Sequence, residues 1–380
     1  MTTNHGADVG VLLTPRDVGG HEIALLGWLA DAVQRDGLRP TIVAPSAALL
    51  QACTARGLSR WVHPHSRRWA AEGRNARVYW GLARWAAAWP AARPLLLAPG
   101  VVHSHAWLTA AALAAGCQVW LYVPMAWTAA TMGYRGARWR DAPLAPWLRR
   151  VAAWVTIDAQ QADVLRRVWR VTAPVYLVPN LARIDARDRP TAAPHPSGDD
   201  PPLRVACVGR FDLHQKGLDW LTTEIRQRPE WQQRLRWRFQ GWGPGEAVLR
   251  AAAAALAPGA ITVAGRAPLR DALAVSDVLL LPSRYEGLPL VALEATALGW
   301  PVVASRSAGL NELLPATCLF DAGDADGLQA ALARLRTPAA RAAAVAEAQR
   351  RVDAPSRQAA QVQAVAALTR ALQGPAGAAP

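Results

Sequence analysis

The chain has 380 residues, more than one hydrophobic core ordinarily organises, so two domains are expected. Hydrophobic residues make up 52% of it, which excludes an intrinsically disordered protein. Lys plus Arg number 42 against 28 Asp plus Glu, a formal net charge of +14, so an anionic partner is expected: a phosphorylated substrate, nucleic acid or an acidic membrane face.

Lys216 is the single lysine among arginines. A compact ammonium on a phosphate is not replaced by an Arg fork, which makes the retained lysine informative. Cys53, Cys117, Cys207 and Cys318 are scattered through apolar segments and form no C-x-x-C pair. They read as buried reduced thiols of a cytosolic protein, not as a zinc site. The start, MTTNHGADVGVLL, has no basic stretch leading into a long apolar core, so no signal peptide is expected.

Val9 to Leu13 reads as a strand, followed by TPRDVGGHE and a helix carrying Ile23, Leu26, Ala30 and Val33 at helical spacing, with Gly37 ending the run. Thr41 to Ala44 is the next strand. Gly19 and Gly20 let backbone approach a ligand closely; a plain tight turn reads equally well. Arg60 to Arg93 mixes Trp61, Trp69, Trp80, Trp85 and Trp89 with arginines, and Tyr134 to Arg150 repeats the mixture. Such a mixture suits a membrane–water interface, or else a solvated basic face with Trp in the core. Strands are expected at Val101–Val102, with His103 and His105 beside it, and at Val119–Val123. Ala106 to Tyr134 carries no charge and is long enough to raise a membrane-span question, but Gly116, Gln118 and Pro124 divide it into a short helix, a strand and a loop. A strand at Val151–Ile157, a helix and a strand at Val175–Val178 complete an alternating series, the pattern of a parallel sheet covered on both faces.

Residues 186–202, ending in PHPSGDDPP, form the best linker in the chain. It separates an N-terminal domain, 1–185, from a C-terminal domain, 203–345. A helical segment at 346–372 and a disordered tail at 373–380 follow. In the second domain strands are expected at 203–208, 235–240, 261–264, 277–281 and 301–304. Helices are expected after Gly217, Pro244, Pro268, Pro289 and Asp324. Two doubly wound domains facing across a cleft place a ligand at the carboxyl ends of their strands.

Two stretches of the second domain carry the chemistry. CVGRFDLHQKG puts Arg210 and Lys216 in one strand-to-helix loop, where two cations neutralise a diphosphate and stabilise it as a leaving group. SRYEGLPLVALE puts Glu286 in the loop after a strand and Glu294 in the helix that follows, with Pro289 expected as the first helical residue. A carboxylate accepts both hydroxyls of a ribose. A nucleotide-diphosphate sugar thus finds ribose at Glu294, diphosphate at Arg210 and Lys216, and sugar near Glu286.

With GRFDLHQKG, FQGWGPGE, ITVAGR, VLLLPSRYEGLPLVALEATALGWPVVAS and SAGLNELL in that order, Leu203 to Leu335 resembles the donor domain of glycosyltransferase family 4, a retaining family of the GT-B fold. VGGHE, VVHSHAW and VTIDAQQADVLRR leading to VPN extend a weaker resemblance over the first half. The resemblance implies that Arg210 and Lys216 bind the diphosphate, that Glu286 faces the donor sugar beside the amides of Gly287 to Leu290, among them Leu288, and that Glu294 binds ribose. It also implies that Gly20 approaches phosphate or acceptor and that Arg266 contacts the base. Transfer in such a family is same-face attack, with the departing phosphate helping to deprotonate the acceptor. One departure stands out: Pro124 and Met125 occupy the place of a usual His that contacts the donor sugar, and His105 on the neighbouring strand is the candidate substitute on the acceptor or sugar side. The PNGVD turn is also altered, to PNLARID.

The expected function is retaining, metal-independent hexosyl transfer from a nucleotide sugar to a glycan or lipid-linked acceptor, in glycan, polysaccharide or glycolipid biosynthesis. The alternatives are a GT-B sugar-nucleotide epimerase or phosphorylase, or a degenerate nucleotide-sugar-binding protein. No cofactor, metal or nucleic acid is expected; no nucleic-acid stacking motif accompanies the charge. The expected location is the cytoplasm, with peripheral attachment to an anionic membrane face through 60–93 and 134–150.

Overall fold

A computed structural model describes residues 8–13, 18–72, 76–182, 184, 201–352 and 355–374. The sequence-predicted linker falls almost wholly outside them, as do Thr14–Asp17 of the glycine-rich turn and most of the tail. The chain splits into two compact units, Met1–Asn180 with Ala359–Pro380, and Leu181–Gln358. The last helix, Pro355–Gln373, therefore belongs for most of its length to the first unit, where Gln361 donates to the Pro179 carbonyl at 2.6 Å.

The first unit holds strands β1 (Val9–Leu13), β2 (Pro40–Val43), β3 (Pro94–Ala98), β4 (Gln118–Tyr122), β5 (Ala153–Thr156) and β6 (Val175–Leu177). They form one parallel sheet in the order β2-β1-β3-β4-β5-β6. The second unit holds β7 (Leu203–Arg210), β8 (Leu235–Trp242), β9 (Ile261–Ala264), β10 (Val278–Leu281), β11 (Val302–Ser305) and β12 (Leu319–Phe320). Their order is β12-β11-β10-β7-β8-β9, again all parallel. Most of these strands are apolar runs buried on both faces, as helix-covered parallel sheets require. In each sheet the chain leaves its first strand in one direction and later returns to build in the other. That reversal falls between β1 and β3, and between β7 and β10. A doubly wound sheet opens a crevice there, outside the carboxyl ends of the two strands.

Several boundaries differ from expectation by a residue or two, β7 and β8 running on to Arg210 and Trp242, and two further differences have an identifiable cause. The strand expected at Val101–Val102 lies earlier, at Pro94–Ala98; Val101 makes only an isolated bridge to Met125. The run PLLLA sits against the β1 core, whereas the later Val–Val pair belongs to the turn after it. Pro289 precedes its helix instead of starting it. It has ψ 130°, extended, and its carbonyl accepts the first helical bond from Ala292 at 3.1 Å, so the helix runs Leu290–Ala297. The apolar stretch from Ala106 is a helix, Ala106–Ala114, followed by β4. Among the described residues no helix is long and apolar enough to cross a membrane.

Candidate functional site in the second unit

The switch point of the second unit is where the two motif loops meet. Arg210, expected in the loop, is the last residue of β7; the loop after it runs from Phe211 to Gly217, and the loop after β10 from Pro282 to Pro289. Gly217 holds them together. It has φ +64°, and a Cβ there would lie 2.0 Å from the Pro282 carbonyl oxygen, so only glycine lets the two backbones touch. Arg284 ties the same seam. Its amide donates to the Gln215 carbonyl at 2.9 Å, and its guanidinium reaches the His214 carbonyl at 2.7 Å and Asp219 at 2.6 Å.

The contact brings Lys216 onto Glu286. The ammonium and Glu286 Oε1 form an ion pair, in which the lysine side chain is 22% exposed and the glutamate 7%. Ser283 Oγ donates to the same carboxylate oxygen at 2.8 Å. Ser305, at the end of β11, donates to the Ser283 carbonyl and fixes that serine's backbone. A buried carboxylate is costly unless paired and hydrogen-bonded, and here it is both. Arg210 stands at the end of β7, just before that loop begins. Its guanidinium donates to Gln215 Oε1 at 3.0 Å and lies 3.5 Å from Asp212. Buried Gln215 thus couples the arginine to the backbone immediately before Lys216.

Lys216 and Glu286 therefore meet, and Arg210 joins them through Gln215, the neighbour of Lys216. Gly287, Leu288 and Leu290 are buried between Glu286 and the first helical turn, and Glu294 lies half-buried in the second turn of the same helix. Arg266 is exposed after β9, with its guanidinium carbon 4.3 Å from the centre of the Trp242 ring. The sequence reading did not single out Gln215, Ser283, Arg284 or Trp242. Only S-x-x-E, a serine three residues before a glutamate, signalled a side chain that caps a buried carboxylate.

The other sequence-derived candidates lie in the first unit. Gly20 begins the helix Gly20–Arg35 at the carboxyl end of β1. Beside it, Glu22 is fully buried, accepts from the Gly19 amide at 2.9 Å and pairs with His21 Nε2 at 2.6 Å; its polar identity had given no hint of burial. His105 has φ +54° and caps the helix Ala106–Ala114, with Nδ1 3.0 Å from Ser104 Oγ. The tryptophans of the two basic stretches divide. Trp69 and Trp89 are core residues, while Trp80 and Trp139 are 65% and 87% exposed.

Comparison with known proteins fits this geometry. Residues 202–337, the second sheet and its site, match the family model of the group 1 glycosyl transferases. The alpha-maltose-1-phosphate synthase of Mycobacterium tuberculosis is 30% identical over 281 residues, 61% of this chain and 67% of that protein. The chain belongs to the group 1 glycosyl transferases. Another relative of this group 1 chain is the lipopolysaccharide core biosynthesis mannosyltransferase LpsB of Rhizobium meliloti, 32% identical over 182 residues. That match covers 44% of this chain, which spans about half, 52%, of LpsB. The sucrose-phosphate synthase of Thermosynechococcus elongatus has the same fold, with a TM-score of 0.64 at 19% identity over 96% of this chain and 98% of that one. The two doubly wound units are thus those of a GT-B group 1 transferase.

Proposed function

We propose that this chain is a retaining glycosyltransferase of family 4 that moves a hexosyl group from a nucleotide-diphosphate donor to a glycan or lipid-linked acceptor in polysaccharide or glycolipid biosynthesis. The observation that carries the reading is the Lys216–Glu286 pair at the switch point of the second unit. Two cations at the carboxyl end of β7, Arg210 ending the strand and Lys216 in the loop after it, match the charge of a diphosphate and offset its growth as the sugar leaves, the role a divalent ion otherwise fills. We assign no metal to the reaction on that basis. A bound diphosphate would give the Lys216 ammonium a more strongly charged partner than Glu286 and leave Glu286 to the sugar.

In the step we infer, the bond from the anomeric carbon to the diphosphate oxygen breaks and a bond to the acceptor oxygen forms on the same face. The acceptor proton passes to the departing phosphate. Glu294 is assigned to the ribose, Arg266 to the base, and the amides of Gly287 to Leu290 to the sugar and diphosphate. Gly20 is assigned to the donor phosphate or the acceptor, and His105 to the acceptor or sugar side.

The location we favour is the cytoplasm, at an anionic membrane surface. What supports it is the exposed part of the Trp and Arg mixture. Trp80 carries the Arg84 guanidinium 4.9 Å from its ring centre, and Tyr134 carries that of Arg140 at 5.1 Å. Rings and guanidinium groups of this kind seat among headgroups and lipid phosphates. A panel of nucleoside diphosphates and their sugars tests the donor reading. One of them should raise the melting temperature, by an amount that grows with the logarithm of its affinity, and its sugar should be consumed only when an acceptor is added. No shift with any diphosphate, or consumption without an acceptor, overturns the proposal.

A further inference from the structure

Glu286 receives its donors on one oxygen. The Lys216 ammonium and the Ser283 hydroxyl both meet Oε1, the hydroxyl at 2.8 Å. Among the described residues no group donates to Oε2. Ser283 is itself held from three sides. β10 pairs with β11 as far as Leu281–Ala304, and Ser305, which ends β11, donates to the carbonyls of Leu281, at 3.3 Å, and of Ser283. The Pro282 carbonyl abuts Gly217, and the Arg284 amide is bonded to the Gln215 carbonyl. Ser283 and Ser305 are each 2% exposed. A hydroxyl on so constrained a backbone is a fixed point for the carboxylate.

The two donors differ in what a diphosphate does to them. A bound diphosphate competes with Glu286 for the ammonium, because its charge is greater. It does not compete for the Ser283 hydroxyl, which is neutral and buried. With the ammonium drawn away, the serine is the donor that stays on Oε1. A carboxylate buried as deeply as this one needs a retained hydrogen bond to remain ionised and oriented. Oε2 is then the oxygen left to accept from a hydroxyl of the sugar.

We propose that Ser283 is the positioning residue for Glu286, holding Oε1 so that Oε2 is presented to the donor sugar. The proposal rests on the donor reading and adds to it a residue that touches neither sugar nor diphosphate. Ser305 supports it from β11 by fixing the Ser283 backbone. The sugar's carboxylate is thereby oriented from the sheet and the cations are oriented from the β7 loop, so either set can be disturbed without the other.

Calorimetric titration of the full chain with UDP, GDP and ADP, and with UDP-glucose, GDP-mannose and ADP-glucose, separates the sugar's share of binding from the nucleotide's. For the pair that binds best, Ser283→Ala should weaken the nucleotide sugar about tenfold or more, the worth of a hydrogen bond to a charged group. The bare nucleoside diphosphate should stay within about twofold of wild type. Ser283→Cys keeps the volume and offers a weaker donor, so its loss should be intermediate, and it carries the test if the alanine variant does not fold. In a Glu286→Ala background either serine change should add nothing, since the serine acts through the carboxylate. An equal loss for the bare diphosphate makes Ser283 a support of the whole loop and overturns the proposal. So does a sugar-dependent loss that persists in the Glu286→Ala background. Unchanged nucleotide-sugar affinity in the serine variants overturns it too and leaves the donor reading intact. Failure of all three nucleoside diphosphates to bind the wild type removes the donor reading and the proposal together.

Discussion

Lys216 and Glu286 come from loops 70 positions apart in the chain, and their pairing costs both of them hydration. Such a pair is kept for its place more than for its stability. Three substitutions separate the roles assigned around it. Lys216→Ala and Glu286→Ala should each lower kcat about a hundredfold or more, since each removes charge matched to the reacting centre. Glu294→Ala should leave kcat near wild type and raise the donor KM by the equivalent of about 1.5–3 kcal/mol, a lost charge-assisted hydrogen bond. Steady-state kinetics with donor varied reads both quantities, and wild-type-like constants in all three variants would remove the mechanism. The side chains named here were legible because charge at a strand end, beside a helix start, is rare and costly. Gln215, Ser283 and Arg284 were not, since amide, hydroxyl and guanidinium side chains look the same on a surface as in a buried seam.

His63 shows what an element adds to its residues. It follows the short turn Ser59–Trp61, its amide donates to the Ile42 carbonyl at 2.8 Å, and its ring stacks on Trp69. Nδ1 accepts from the His65 amide at 3.3 Å, which requires that nitrogen to be unprotonated. Burial first, and then nearby His65, holds the imidazole below its ordinary range. Below pH 6.5 the unfolded chain takes up a proton that the folded chain still refuses, so the unfolded state binds more protons and stability falls as pH falls. His103, lowered by burial against the pull of Asp141, acts in the same direction. Thermal unfolding between about pH 7.5 and pH 5 should show a falling melting temperature, with a shallower slope in His63→Phe. An identical slope in that variant would refute the assignment. Most strands and helices were readable from apolar runs and their Gly and Pro punctuation. Boundaries slipped where two apolar runs compete, as at Pro94–Ala98 against Val101–Val102, because only packing against β1 and β4 chooses between them.

For the molecule as a whole, a charge of +14 and a set of exposed aromatic rings act together. Trp80, Trp107 and Trp139 are 65%, 46% and 87% exposed, while Trp28, Trp69, Trp89, Trp120, Trp154 and Trp169 of the same unit are buried. The full chain should bind phosphatidylglycerol vesicles and not phosphatidylcholine ones, and binding should weaken as salt rises from about 0.05 to 0.5 M and the Debye length shrinks. Trp80→Ala combined with Trp139→Ala should weaken it further; salt-insensitive or absent binding rejects the membrane reading. Alternation of strand and helix, the two-domain division and the charged motif loops were all set by local sequence, because periodicity, turn chemistry and loop charge act over a few residues. Which loops meet was decided by tertiary structure. Strand order puts β7 beside β10, and from that follows the Lys216–Glu286 pair; packing within the first unit likewise buries Glu22 and divides the tryptophans into core and surface. Those facts depend on contacts between segments far apart in the chain, which no local pattern encodes.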